Sequence, residues 1–550
     1  AGFERAQAHV VSRHQDGPAY GGTPSDESVR QAIADLKARG LEVYLYPFLM
    51  MDIPAGNGLA DPHGGTEQPA YPWRGRIPCH PAPARPGTAD RTPAARAQVA
   101  AFATGAEGYR RMVLHHAGLA AEAGGVDGFL IGSELRGLTR VRDEADGFPF
   151  VEELVQLAAA VRTVLGPQTK ITYGADWSEY FGCHPQDGSG DVFFHLDPLW
   201  ASPAIDAVGI DNYMPLSDWR DGDLSSANPD GFRTADDLAA MRAQIEAGEG
   251  FDWYYASEAD RRDRVRTPIT DGAAGKPWVY RYKDIAAWWS NRHFNRAGGM
   301  EVAQPTPWQP GMKPVWFTEL GCPAVDKGAN QPNVFVDAKS AESAAPYFSA
   351  RSRADAMQRR FLEAHHERWQ AVGTNGPVDP GHVFVWTWDA RPYPAFPADL
   401  SAWSDGGNWR AGHWLNGRLG GTTAADAIAA ILQDHGVADF DVSEVSGDLT
   451  GYVQAEVTSA RALLEPLLEV FRIDVVEDAG RLRFRSRGAA SLPPRTIDVL
   501  ADREGEPLWS ETRGHDSDFA AEVVIGSYNP ALDYEQASAR SRRTRTGPAD

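Results

Sequence analysis

A closed α/β barrel of parallel strands is the fold that this 550-residue sequence predicts, on three observations. Short apolar segments recur with helical patterns between them. Several of these segments are continuous apolar runs, the mark of parallel strands covered on both faces. Polar and aromatic residues then collect at the C-terminal ends of successive strands: Ser133-Glu134, Asp176-Trp177, Asp211-Asn212-Tyr213, Glu319 and Trp388-Asp389. That is the end at which barrel enzymes assemble active sites. A doubly wound open sheet is the competing α/β arrangement. No glycine fingerprint follows the early strands, which weakens its nucleotide-binding form.

The predicted strands, in order, are "AHVVS" (8–12), "LEVYLYPFLM" (41–50), "VDGFLIGSE" (126–134), "KITYGAD" (170–176), "IDAVGIDNY" (205–213), "PVWFTE" (314–319) and "HVFVWTWD" (382–389). A first helix is expected from Thr23 as N-cap, with Pro24 at its first turn and Asp26 as the early acid. Its apolar face is Val29, Ala32, Ile33 and Leu36, and Gly40 stops it. A second helix, 150–165, carries Val151, Leu154, Val155, Ala158, Val161 and Leu165 and ends at Gly166-Pro167. A longer helix is expected over 344–371.

Near residue 421 the texture changes, so the domains are expected at 1–420 and 421–550. The glycine-studded stretch 408–421 is a connection, and "TTAADAIAAILQDHG" (422–436) opens a capped helix. Residues 459–488 then form a helix and a hairpin, with Phe471, Ile473 and Val475 alternating, a turn at 477–480, and Leu482 and Phe484 on the return. This is a small α+β module. The opening "AGFERAQAHVVSRH" and the polar close are those expected of an excerpt from a longer polypeptide.

Composition excludes several function classes. A formal charge of −22 argues against a nucleic-acid or anionic-membrane surface, and the basic run "RSRRTR" (540–545) reads as a solvated terminus. No apolar run is long enough for a membrane span. Cys79, Cys183 and Cys322 make no disulfide framework. Cys79-His80 and Cys183-His184 match no zinc spacing. The acid-rich loops 217–231 and 247–253 are oxygen-rich enough for calcium but are expected to be solvated. No metal or cofactor is expected.

Glu134 and Glu319 carry the chemistry. With a side-chain period of two, Glu134 shares a face with Leu130 and Gly132, and Glu319 with Val315 and Phe317. If those faces point inward, both acids stand at one barrel mouth. Two carboxyl groups flanking a glycosidic bond are what glycoside hydrolysis requires. A gap of about 5–5.5 Å gives retention and one of about 6.5–9.5 Å gives inversion. Aromatic residues at strand ends, among them Trp177, Tyr180, Trp200, Tyr213, Trp219, Trp253, Trp386 and Trp388, suit the apolar faces of sugar rings, or pack barrel against helices.

Acids ending the fourth and seventh strands of a (β/α)₈ barrel resemble the acid/base and nucleophile of clan A glycoside hydrolases. Glu134 and Glu319 end the third and sixth predicted strands, so one strand lies upstream of Ala1 or within 51–95, which contains "YPWRGRI". More closely, "YGGTPSDESV", "LYPFLMMDIPAGN", "QPAYPWRGRI", "GFLIGSELRGLTRVR", "GADWSEYFG", "GIDNYMPLSDWRDG" and "KPVWFTELGCPAVDKGANQPNVF" resemble the TIM-barrel-like domain of gene transfer agent tail proteins. These are baseplate hub, or host-specificity, proteins of phage-like particles. The 421–550 module is similar to the start of the phage tail domain that follows such barrels.

The resemblance implies a particle component at the tail tip, with envelope polysaccharide or peptidoglycan glycan and other tail or baseplate subunits as partners. It also implies Glu134 as acid/base and Glu319 as nucleophile of a retaining reaction. Ser133, Asp176, Trp177, Asp211, Tyr213, Trp386 and Trp388 are the substrate-binding candidates. Ser133 stands where clan A enzymes usually place an Asn before the acid. That departure leaves two readings open: a glycosidase, or a glycan-binding or purely architectural barrel.

Overall fold

The computed structural model describes residues 13–14, 17–18, 24–224, 226–272, 274–415, 422–449, 451–454, 456–487, 504–507, 509–512, 520–529 and 535–542. The chain divides into two compact units, 1–489 and 490–550.

In the first unit, six parallel strands form one sheet, a half-barrel. They are β1 (Tyr44–Leu45), β2 (Gly128–Ser133), β3 (Lys170–Asp176), β4 (Val208–Asn212), β5 (Val315–Leu320) and β6 (Val378–Val383), paired in that order. The predicted strand 8–12 and the Thr23 cap lie outside the described residues, and 51–95 contains no strand. Edge strands β1 and β6 meet through side chains. The Tyr44 hydroxyl bonds His382 Nε2 at 2.9 Å, and Trp316 stacks on His382 with ring centroids 4.1 Å apart.

Helices α1 (Asp26–Ala38), α2 (Pro93–Thr104), α3 (Tyr109–Glu122), α4 (Pro149–Leu165) and α5 (Asp355–Val372) surround the sheet. Helix α1 is capped by Ser25, whose hydroxyl accepts the Ser28 N–H at 3.1 Å. Of its predicted face, Ile33 is buried and Val29 partly so, while Ala32 and Leu36 are exposed. The helix leans on α3 along a narrow line, closed by the Arg30–Glu122 pair at 2.9 Å. Helix α4 buries Val151, Leu154, Ala158 and Val161 and stops at Gly166, as its pattern predicts. The long helix begins at Asp355 instead of 344. The Asp326 carboxylate takes the Ala350 and Ser352 N–H groups at 2.9 and 2.8 Å, holding that stretch in turns.

Strand β6 starts upstream of its predicted position. Asp379-Pro380-Gly381 reads as a turn, yet an edge strand accommodates Pro at an irregularity, and the register shifts there. The ladder continues through Phe384 N–H to Phe317 O and Trp386 N–H to Leu320 O, at 2.8 and 2.9 Å.

Residues 422–487 hold a second core. Helix α6 (Ala424–Asp434), β7 (Phe440–Glu444), α7 (Ala460–Val470), β8 (Ile473–Asp478) and β9 (Arg481–Ser486) bury Ile428, Leu432, Leu464, Leu467, Ile473 and Phe484 together. Thr423 and Ser459 cap the two helices. The hairpin turns at Ala479-Gly480, both left-handed. Phe471 ends α7 instead of joining the strand, and Val475 is exposed.

In the second unit, β10 (Glu522–Asn529) pairs antiparallel with β11 (Glu535–Arg542). Arg540 to Arg542, expected in a solvated tail, belong to β11, and Arg542 pairs with Glu522 at 3.3 Å. Residues 543–545 of that run lie outside the described residues.

Candidate functional site

Sheet alternation sets the inner wall, and two bulges change it. Trp316 and Thr318 of β5 face inward, while Phe317 packs outward on His365 and Trp369 of α5. The shared face expected for Phe317 and Glu319 therefore fails. A register shift between these two residues against β4 turns Glu319 inward beside Thr318. On β2 a shift between Leu130 and Ser133 does the same. Gly132 lies against Tyr109 and Tyr173, whereas Ser133 faces Asp211.

Glu134 then enters through a left-handed backbone, φ 50°, a conformation that costs an L residue about 1–3 kcal/mol. Its N–H is held by Gly174 O at 2.8 Å, and the Leu135 N–H by the Tyr173 hydroxyl at 2.7 Å. These anchors keep the strained turn in place.

Glu134, Asp211 and Glu319 thus converge, with one carboxyl oxygen of each within 4.8 Å of the others. They are 7%, 0% and 4% exposed. Arg74 binds Glu134 Oε2 at 3.0 Å and donates to the Ser133 carbonyl and hydroxyl at 3.0 and 2.5 Å. The Trp73 indole N–H donates to the same Glu134 oxygen at 2.6 Å. Asp211 accepts from Thr318 at 2.6 Å, Tyr46 at 3.0 Å and Ser133 at 3.3 Å. Gly174 makes room for Tyr46, since a Cβ there would lie 1.9 Å from its hydroxyl. Tyr213 donates to Glu319 Oε2 at 2.5 Å. Glu319 Oε1 is buried and has no hydrogen-bond partner.

Burial pushes the Glu134 carboxyl up, with Asp176 adding to the shift and Arg74 and Trp73 opposing it. Burial pushes Asp211 and Glu319 well above the carboxylate range, and their mutual repulsion with Glu134 adds to it. Burial also raises Tyr46 and Tyr213, so both phenols stay neutral donors. Three buried carboxyls thus share one guanidinium, an environment that favours the protonated form. The spacing would also suit one divalent cation, but Arg74 already supplies the compensating charge.

Asp176 faces the same side, its carboxylate accepting the Ser178 N–H at 2.9 Å. Trp177 packs on Tyr282 at 4.7 Å, with its indole N–H buried and without a hydrogen-bond partner. Trp386 lies edge-on to Phe48 at 5.4 Å, and Phe48 in turn carries Arg74 at 4.6 Å. Trp388 is 72% exposed. Tyr180, Trp200 and Trp219 are buried core residues, as are the three cysteines.

Trp73, Arg74, Tyr46 and Thr318 were not legible as site residues. The signal for the first two was the Pro-bounded "YPWRGRI", which forms a 3-10 turn over Arg74–Arg76 rather than a strand.

A family model described as "GTA TIM-barrel-like domain" matches residues 107–397, and one described as "Putative phage tail protein" matches 459–549. No curated protein matches the chain. With more than half of its length under the first model and a tail-protein match behind it, the chain belongs to the GTA TIM-barrel-like family and is a phage-tail-associated protein.

Proposed function

We propose that this chain is a tail-tip or baseplate hub component whose barrel binds cell-envelope polysaccharide or peptidoglycan glycan and hydrolyses it with retention. The observation that carries this is the convergence of Glu134 and Glu319, with carboxyl oxygens within 4.8 Å, nearer the gap of about 5–5.5 Å of retaining pairs than the wider gap of inverting ones. Glu319, through its unpartnered Oε1, attacks the anomeric carbon as Glu134 protonates the leaving oxygen. A glycosyl ester forms and the glycosidic bond breaks. Water, deprotonated by Glu134, then attacks the same carbon and releases Glu319.

Asp211, Ser133 and Tyr213 shape the inner wall, Asp176 and Trp177 its flank, and Trp386 and Trp388 the aromatic rim. The side-chain contact of Tyr44 with His382 supports closure of the sheet into a barrel, read from the sequence as (β/α)₈. Domains at 1–420 and 421–550 fit the second core of residues 422–487, with other tail or baseplate subunits as partners.

The test is release of reducing sugar from recipient-cell envelopes by the unmutated chain and by Glu319→Gln. Equal release by both would refute hydrolysis. A second reading, glycan binding without turnover, is favoured by the two donors on Glu134 Oε2, which oppose the rise in its proton affinity. Glycan binding by the unmutated chain with no sugar released would select it.

A further inference from the structure

We infer that the site takes an uncharged or amine-bearing glycan and excludes uronic and sialic acids, an inference that rests on the glycan reading above. Among the described residues, every side chain bonded to the three acids is a donor: Trp73, Arg74, Ser133, Tyr46, Thr318 and Tyr213. Arg74 is the cation whose charge acts on all three. Three carboxyl groups and one guanidinium thus share a nearly buried site, so acid outnumbers base in it. Hydroxyl and ammonium groups satisfy those oxygens. An acidic ring would add a fourth carboxylate, and juxtaposed like charges strongly suppress binding. The positive charge that develops at the anomeric carbon is favoured by the same field.

The experiment measures binding of N-acetylglucosamine, glucosamine and galacturonate oligomers of equal length to the unmutated chain. Neutral and amine-bearing chains are expected to bind at least about tenfold tighter than galacturonate. The gap should narrow in Asp211→Asn, or in Glu319→Gln if the first variant does not fold. Equal or tighter galacturonate binding, or an unchanged gap in the folded variant, overturns the inference while leaving the glycan reading intact. Binding of none of the three sinks that reading, and the inference with it.

A different observation concerns access. The geometry points to a strap, residues 70–76, that shuts the site and is latched by Glu342. Trp73 folds back across Gly75, where a Cβ would meet the indole at 2.3 Å, and its N–H lands on Glu134. Glu342 accepts the Trp73 backbone N–H at 2.6 Å and faces Arg76 at 3.7 Å. Ala341 N–H bonds Ala70 O, and Ser340 bonds Tyr71 O, at 2.8 and 3.0 Å. Tyr71 itself sits in the left-handed region, φ 42°. Trp73 occupies Glu134 Oε2, so a leaving oxygen reaches that oxygen only after Trp73 departs.

Glu342→Gln tests this, read by hydrogen exchange at 71–76 and by carbodiimide labelling of Glu134 and Glu319. Exchange and labelling are expected to rise about tenfold, in line with loss of a hydrogen bond to a charged group, with exchange in β2 to β5 unchanged. Gly75→Ala should increase labelling as well, by displacing the indole. Unchanged labelling in both variants overturns the strap.

Discussion

Two acid-rich regions of this protein look alike in sequence and differ in charge balance. In the loops 217–231 and 247–253, expected to be solvated or open to calcium, Asp218, Asp221, Asp223, Asp230 and Glu249 have basic partners. Asp218 contacts Arg220, Arg264 and Arg266 at 3.3, 3.2 and 3.1 Å, Asp223 takes Arg264 at 2.7 Å, and Asp230 takes Arg266 at 2.6 Å. Glu249 takes Arg261 at 2.8 Å. Burial pushes the Asp223 carboxyl up, but Arg264 and its other donors outweigh that, so it lies below its ordinary range. In the barrel mouth three carboxyls share Arg74, and all three are pushed up. The matched region rigidifies a loop, whereas the unmatched one stores protons. An unbalanced buried cluster, more than acid content, marks the candidate for chemistry.

The comparison is broken most sharply at Glu134. Glu134→Gln is expected to lower sugar release by about 10²–10⁴-fold, the range for loss of a general acid, with little loss of fold. The complementary change, Arg264→Gln, leaves Asp218 and Asp223 short of a partner and should cost about 3 kcal/mol, read as a lower denaturant midpoint. Asp211→Asn relieves repulsion at the mouth, so it should stabilise the protein by about 1 kcal/mol, as removing a functional strain does. If Asp211→Asn destabilises the fold as much as Arg264→Gln, the contrast between the regions is lost.

The pH response sharpens it further. The folded-state affinities of Glu134, Asp211 and Glu319 for protons lie above their unfolded values. Their contribution is full at acid pH, below the unfolded carboxylate range of about 4, and is lost as pH rises through the raised values. Asp223 has the opposite sign, with its contribution present above that range and lost as pH falls. Thermal melts across pH should therefore lose their alkaline slope in Asp211→Asn and their acid slope in Asp223→Asn. The smallest effect is expected at Glu179, which burial pushes up to about 7, against the Thr139 hydroxyl. Glu179→Gln should flatten stability near neutral pH alone.

Much of the scaffold was legible because strand and helix patterns are local. Five apolar segments hold β1 to β5, the sixth overlaps β6 at His382 and Val383, and α4, α6 and α7 form where their periodicity places them. The convergence of Glu134 and Glu319 was legible too, from polar residues at strand ends, although the period-two reasoning behind it failed at Phe317 and Gly132. Their inward turn comes from bulges and from one left-handed residue, which depend on neighbouring strands.

What the sequence by itself determined is the parallel sheet and the end of it where acids gather, since burial on both faces and strand-end polarity are written in consecutive residues. Tertiary structure alone decided that Arg74 and Trp73 cover Glu134, that Arg264 neutralises Asp218 and Asp223, and that Glu319 Oε1 is left without a donor. The physical reason is that a buried charge is valued by what lies within a few ångströms of it. Those neighbours come from loops distant in the chain, whose arrival no local pattern records.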